Sequence, residues 1–224
     1  MIKSIFITVR TEAGETPNNA LLSIEKKPAI EHLIERLKHS KRTESIVLCT
    51  THRREDWVLS NIASNLGILC SQGSVDNMFE RWRGATTEFA VDFFVAVEAD
   101  DLFCEPELID LAFDQYDRTQ ADLIEGTGLL TGAFGYGIAT PALEKVCSSG
   151  KIAAGTDFSA QFKAAGDFKI ETLQKVDPVF QRKDLNLSLS DKNNLPVLSK
   201  LIAELGPAGR YFSLRDVLKH LDNN

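Results

Sequence analysis

The sequence predicts a single α/β domain over residues 1–224, built on a mostly parallel sheet with helices on both faces. Three observations predict it. Short apolar runs alternate with amphipathic stretches through the first half, the rhythm of repeated strand–helix units. The run Phe93-Phe94-Val95-Ala96-Val97 is wholly apolar, as a strand buried between two layers requires. That run leads into Glu98-Ala99-Asp100-Asp101, and Pro106 then opens an acidic amphipathic helix, a favoured first helical residue.

Each element follows from local pattern. Residues 5–9 are a β-branched apolar run and give the first strand. Ile30, Leu33, Ile34 and Leu37 recur at helical spacing, so residues 29–39 form a helix entered through Pro28, with Lys26 and Lys27 in the turn before it. Residues 46–49 give a second strand, stopped by Thr50-Thr51-His52, and residues 56–66 a helix ended by Gly67. A short strand at 68–70 precedes Gly73-Ser74, and 77–87 is a helix with Met78, Phe79 and Trp82 on its apolar side. Residues 93–97 are the fourth strand and 106–116 the helix after it. Beyond Ala121 the rhythm loosens. Strands are expected at 122–126, 133–139, 169–176 and 185–189, and helices at 141–147, 195–205 and 212–221. Gly206-Pro207 breaks the second of these helices, and Ser213 with Asp216 forms a capping pair for the last.

Composition excludes several classes. Of 224 residues, 43% are hydrophobic and 25% charged, which suits a globular protein with a full core. A net charge of −7 argues against a nucleic-acid binder, which needs a basic face, but a few local cations suffice for a phosphorylated ligand. Cys49, Cys70, Cys104 and Cys147 lack both zinc spacing and a disulfide pattern, so reduced thiols in a cytoplasmic protein are expected. No run has membrane-spanning length, and residues 1–10 lack the apolar core of a signal peptide.

Ligands of open α/β sheets sit beyond the carboxyl ends of the strands. Asp100 and Asp101 fall at such an end, where magnesium would bridge one or two carboxylates to a phosphate. The plainer alternative is an acidic turn with a capping Asp. The polar segment from Arg10 to Leu22 has Arg10 as its sole cation and is placed to wrap a nucleotide's phosphates, or else is a solvated loop. His52 follows a strand end and is a weaker ligand candidate, while His32, His39 and His220 read as surface or half-buried. Trp82 and the Phe93-Phe94 pair read as core.

The ordered set of motifs resembles the cytidylyltransferases that activate acidic sugars, in particular the spore-coat polysaccharide branch related to acylneuraminate and ketodeoxyoctonate cytidylyltransferases. That family opens with a strand and A-R-x-x-S-x-R-L-P-x-K-x-L, against which Val9-Arg10, Pro17 and Leu21 fall in register. Its G-K-P and L-E-H-V-I-E-R-L helix are matched by Lys27-Pro28 and Ile30-Glu31-His32-Leu33-Ile34-Glu35-Arg36-Leu37. Cys49-Thr50-Thr51 matches a strand end with hydroxyl residues. Gly73-Ser74 and Arg81-Trp82 match a G-S-x-x-D-x-x-x-R-[WY] element. Asp100-Asp101 with Pro106-Glu107-Leu108-Ile109-Asp110 matches a D-D and P-E-L-I-D motif, and Phe212-Ser213-Leu214-Arg215-Asp216-Val217-Leu218 the closing helix.

The resemblance implies a three-layer nucleotide-diphospho-sugar transferase fold of Rossmann-like type. It implies CTP and a sugar as substrates, Mg2+ as cofactor, a role in surface polysaccharide biosynthesis and a homodimer. By position it assigns Arg10 to phosphate, Thr50 and Ser74 to the nucleoside, Arg81 as a supporting cation, and Asp100 with Asp101 to the metal. Phe134-Gly135-Tyr136-Gly137 would lie near the sugar. Glu15 and Asn19 stand where the family has Arg and Lys, and Ser190 where it has an Asp that completes the metal site, with Asp191 adjacent. Asn77 replaces the Asp of the G-S element. Two other readings therefore stay open: a non-catalytic relative that binds a nucleotide or sugar, and a sugar transferase of the same fold.

Overall fold

The computed structural model describes residues 1–11, 19–149 and 158–223. Its centre is a seven-stranded sheet. The strands are β1 (Lys3–Thr8), β4 (Ser45–Thr51), β5 (Leu69–Gly73), β6 (Phe93–Glu98), β7 (Leu123–Glu125), β8 (Tyr136–Ala139) and β9 (Ile170–Thr172), in the order β5-β4-β1-β6-β8-β7-β9. A two-stranded hairpin, β2 (Ser23–Ile24) and β3 (Lys27–Pro28), stands apart. Only β8 runs against its neighbours, pairing antiparallel with β6 and β7; the other pairs of the large sheet are parallel. The chain moves from β1 outward to β4 and β5, then returns to lay β6 on the other side of β1. This reversal opens a crevice at the carboxyl ends of β1 and β6, where α/β sheets take their ligands.

Eight α-helices are described: α1 (Ala29–Leu37), α2 (Trp57–Asn65), α3 (Met78–Phe89), α4 (Pro106–Thr119), α5 (Thr140–Ser148), α6 (Phe158–Ala165), α7 (Leu195–Leu205) and α8 (Leu214–Asp222). Their ends carry the expected chemistry. The Asn77 side chain accepts from the Glu80 N–H at the start of α3. Ser213 and Asp216 close a reciprocal capping box on α8. Pro106 opens α4, and Gln120 ends it in the left-handed conformation.

Both sheet faces are covered. On one, Phe6 stacks on Phe94 at 4.3 Å, and Trp82 of α3 meets Phe94 edge-on while its indole N–H donates to Thr8 Oγ1 at 2.8 Å. Phe158 and Phe162 of α6 extend this aromatic cluster through Phe79. On the other, Phe93 stacks on Tyr116 of α4 at 4.1 Å. Trp82, Phe93 and Phe94 are therefore core, as their sequence context indicates.

The structure departs from the sequence pattern in three places. Residues 185–189 form no strand: the Leu187 N–H donates to Thr131 O, the Leu189 N–H to Asp100 O, and only one isolated bridge, Thr131 to Asn186, remains. Dividing the segment's donors between two partners prevents a continuous ladder. The turn before α1 is Glu25-Lys26, both at positive φ, and Lys27 already belongs to β3. Helix α6 is absent from the sequence reading, because only Phe158 and Phe162 mark an apolar side among its eight residues. The four cysteines are free, and burial pushes all four thiols up. Among the described residues no helix is long and apolar enough to cross a membrane.

Candidate functional site

The carboxyl ends of β1, β4 and β6 bring most of the singled-out residues to one edge of the sheet. Strand β6 ends at Glu98, and the next turn carries Asp100 and Asp101, fixed by the Asp101 N–H to Glu98 O and the Cys104 N–H to Asp101 O. The Ala99 N–H donates to Thr8 O, locking this turn against the end of β1. Asn19, from the first crossover, donates through Nδ2 to Asp100 Oδ2 at 3.2 Å and to Leu189 O at 3.0 Å. The Asp101 carboxylate is hydrogen-bonded by Ser188, and Gly132 lies close against it.

Three carboxylates in this space repel one another. Glu98 is open to solvent on the cleft side, but protein crowds the rest of its carboxyl. That enclosure, with repulsion from Asp101 and Asp100, pushes it up to about 7, while Arg81 pulls the other way. Burial raises Asp101 to about 6, with the Ser188 hydrogen bond opposing and Asp100 adding to the rise. Such an arrangement lacks positive charge. Among the described residues no group of three potential ligands converges as a closed cage. Asp100 and Asp101 are two hard oxygen donors on one turn, which would hold a magnesium ion only with further ligands from outside the described residues.

Two cations bond the turn between β5 and α3. Arg10 is exposed just beyond β1, and its Nη1 donates to Val75 O at 3.2 Å. Arg81 is buried on α3 and donates through Nη1 to Ser74 O at 2.8 Å. Burial lowers its pKa below the usual guanidinium value. Gly73 makes this approach possible, because an added Cβ would lie 3.2 Å from Arg81 Cα. Ser74 accepts the Asn77 N–H through its hydroxyl, so the β5–α3 turn is braced from both sides.

The remaining positions divide. Thr50 is fully buried on β4, and its hydroxyl has no hydrogen-bond partner among the described residues. Glu15 and Pro17 lie outside the described residues. Ser190 turns its hydroxyl to Ser188 Oγ at 3.0 Å, and Asp191 caps the short 3-10 helix Lys192–Asn194 through the Asn193 N–H. His52 is exposed.

Two features escaped sequence reasoning. Asp56 is completely buried and accepts from the Thr11 N–H at 2.6 Å, Thr11 Oγ1 at 2.5 Å and the Thr51 hydroxyl. Its only sequence signal is a carboxylate at the first position of the helix expected over residues 56–66. The second feature is a cavity of about 270 Å³ beside the crevice, whose lining joins Phe134 and Tyr136, singled out in the sequence, to Glu125, Thr127, Ser159 and Lys163, which are not. It lies at the end of β8 that faces the carboxyl end of β6, since Tyr136 pairs with Ala96.

The fold and family comparisons agree. The cytidylyltransferase family model matches residues 5–223. An uncharacterized protein from Methanocaldococcus jannaschii is 27% identical over 145 residues, which is 65% of this chain and 60% of that protein, so the chain matches less than two thirds of the relative's length. A cytidylyltransferase structure from Leptospira borgpetersenii superposes with a TM-score of 0.87 at 19% identity, covering 100% of this chain and 95% of the other. A CMP:2-keto-3-deoxy-manno-octonic acid synthetase complexed with CTP gives 0.71 at 13% identity, covering 92% and 100%. At these identities the structures speak for the fold.

Proposed function

Because the chain belongs to the cytidylyltransferase family, we propose that it transfers the cytidylyl group of CTP to a sugar of the acidic type, for surface polysaccharide biosynthesis. The observation that supports this reading is that β1 and β6 are parallel neighbours, so that Arg10, just after β1, and Asp100 and Asp101, just after β6, stand at the same edge of the sheet.

In this reaction a sugar hydroxyl or phosphate oxygen attacks the α-phosphorus of CTP. One O–P bond forms, the bond to the β-phosphate oxygen breaks, and pyrophosphate leaves with that electron pair. Magnesium, when bound by Asp100 and Asp101, neutralises charge on the phosphates. Arg10 attracts the pyrophosphate end. Ser74 borders the nucleoside, Arg81 adds positive potential behind the β5–α3 turn, and Thr50, fully buried on β4, is withdrawn as a contact. The 270 Å³ cavity suits the acceptor: Lys163 matches a sugar carboxylate, Glu125 and Thr127 its hydroxyls, and Tyr136 and Phe134 the apolar face of its ring.

Ser190 and Asn19 favour a second reading, a non-catalytic relative that binds the nucleotide without turning it over. Neither residue supplies the charge that the resembled family places there, and both are occupied by hydrogen bonds, Ser190 to Ser188 and Asn19 to Asp100 and Leu189 O. Calorimetric titration of CTP with and without magnesium, beside CMP and other nucleoside triphosphates, tests both. Magnesium-dependent, CTP-selective binding followed by pyrophosphate release in the presence of acidic sugars supports the enzyme. Binding without release, restored by Asn19→Lys with Ser190→Asp, supports the second reading. Turnover of a sugar nucleotide in place of CTP would indicate a sugar transferase.

A further inference from the structure

We propose that Asp56 is a positioning residue for the triphosphate, acting by fixing the backbone at Thr11 and so holding Arg10 at the lip of the crevice. The inference rests on the CTP reading above.

Asp56 is buried completely, and among the described residues no Lys or Arg pairs with it. Arg81 acts on it only through space, without a direct ion pair, so the buried carboxylate carries a desolvation cost that a neutral side chain would avoid. Three hydrogen bonds offset that cost, and they link two strand ends. The Thr11 N–H and hydroxyl come from the start of the connection that follows β1, and the Thr51 hydroxyl comes from the last residue of β4. Thr51 is itself oriented, because its Oγ1 accepts the Arg53 N–H at 3.2 Å and therefore gives its own proton to Asp56.

Thr11 follows Arg10 directly. On the other side of Arg10, the Val9 N–H donates to Cys49 O at 3.2 Å. Arg10 is thus held between two anchors, one to β4 and one to Asp56, while its guanidinium bonds Val75 O. A cation held in this way loses less freedom when a phosphate binds, which is how a residue out of contact with the ligand raises affinity. Hydrogen bonds to a charged acceptor are the stronger kind, so Asp56 suits the task better than Asn would.

The test uses full-length protein with Asp56→Asn and Thr11→Val, titrated with CTP and with CMP in magnesium. CMP lacks the pyrophosphate end, so a positioning role separates the two ligands while a general folding defect does not. The expected result is CTP binding weakened about tenfold or more by Asp56→Asn and about threefold by Thr11→Val, with CMP binding unchanged within about twofold. The double variant should match Asp56→Asn, because both changes remove one shared contact. Amide exchange at Thr11, faster in Asp56→Asn, reads the anchor without any ligand. Should Asp56→Asn fail to fold, Thr11→Val carries the same comparison. Equal losses for CTP and CMP, or unchanged CTP affinity with an exposed Thr11 amide, overturn the proposal and leave the CTP reading standing. Wild-type protein that binds CMP and CTP equally, or binds neither, removes both.

Discussion

The Asn19 side-chain amide donates to the Asp100 carboxylate at 3.2 Å and ties the first crossover to the turn after β6. The same amide reaches Leu189 O, so one neutral side chain joins three segments distant in sequence. A neutral donor steadies Asp100 without cancelling its charge. Asn19→Asp should replace this attraction with repulsion. At an effective dielectric near 20 such a contact is worth several kcal/mol before screening, so magnesium-dependent CTP affinity should fall by about tenfold or more. Calorimetry checks it; unchanged affinity would show that Asn19 does not support the site.

Asp100→Asn and Asp101→Asn should each lower magnesium-dependent cytidylyl transfer by about a hundredfold or more, because each removes a hard oxygen ligand. Pyrophosphate release measured against magnesium concentration gives the result. If both variants keep wild-type transfer, the metal assignment is wrong.

The raised carboxylates at the cleft give a signed pH dependence. Glu98 moves from an ordinary 4.5 to about 7 and Asp101 from 3.8 to about 6 in the folded protein. Between the ordinary and folded values the native state holds protons that the unfolded chain has lost, so stability falls as pH rises through this window. Glu98 is open to water on one side, so its share is modest. Melting curves in chelator should show Glu98→Gln gaining on wild type between pH 5 and pH 8. A gain that shrinks with rising pH contradicts the assignment.

Arg36 of α1 and Glu105 at the mouth of α4 form a buried pair at 3.3 Å, their side chains 5% and 4% exposed. Phe103, Tyr211 and Phe212 surround the guanidinium, and the Leu214 N–H also donates to Glu105. Arg36→Met leaves Glu105 buried and uncompensated, at an expected cost of about 3–5 kcal/mol in denaturant unfolding. Arg36→Met with Glu105→Leu should recover a large part of that loss. A double variant no better than the single one would show that packing, and not charge, dominates here.

Gly135 lies against β6 so closely that an added Cβ would sit 1.7 Å from Ala96 O. Gly135→Ala must therefore part β8 from β6, at an expected cost of about 3 kcal/mol or more. The break should reach both the 270 Å³ cavity and the carboxylate turn. Soluble protein with wild-type unfolding would refute this close approach.

The sequence by itself determined the alternating elements, the core and the polarity of the sheet edge, because these are local. Helix periodicity, Pro106 and the Ser213–Asp216 box act within a few residues, and the apolar run of β6 needs no partner to be read. It also placed Arg10, Asp100 and Asp101 at strand ends, since alternation of strand and helix sets which end is which. Tertiary structure alone decided what these residues meet. The contact of Asn19 with Asp100 spans 81 positions, and that of Asp56 with Thr11 spans 45. The fate of residues 185–189 was decided in the same way: their alternating pattern reads as a strand, but Thr131 and Asp100 claim their N–H groups from different sides. The charge state of Glu98 belongs here too, because it depends on carboxylates and an arginine gathered by the turn after β6 and by α3. Spacing along a chain encodes periodicity; it does not encode which distant group will arrive at hydrogen-bonding distance, and at this site those arrivals set the electrostatics.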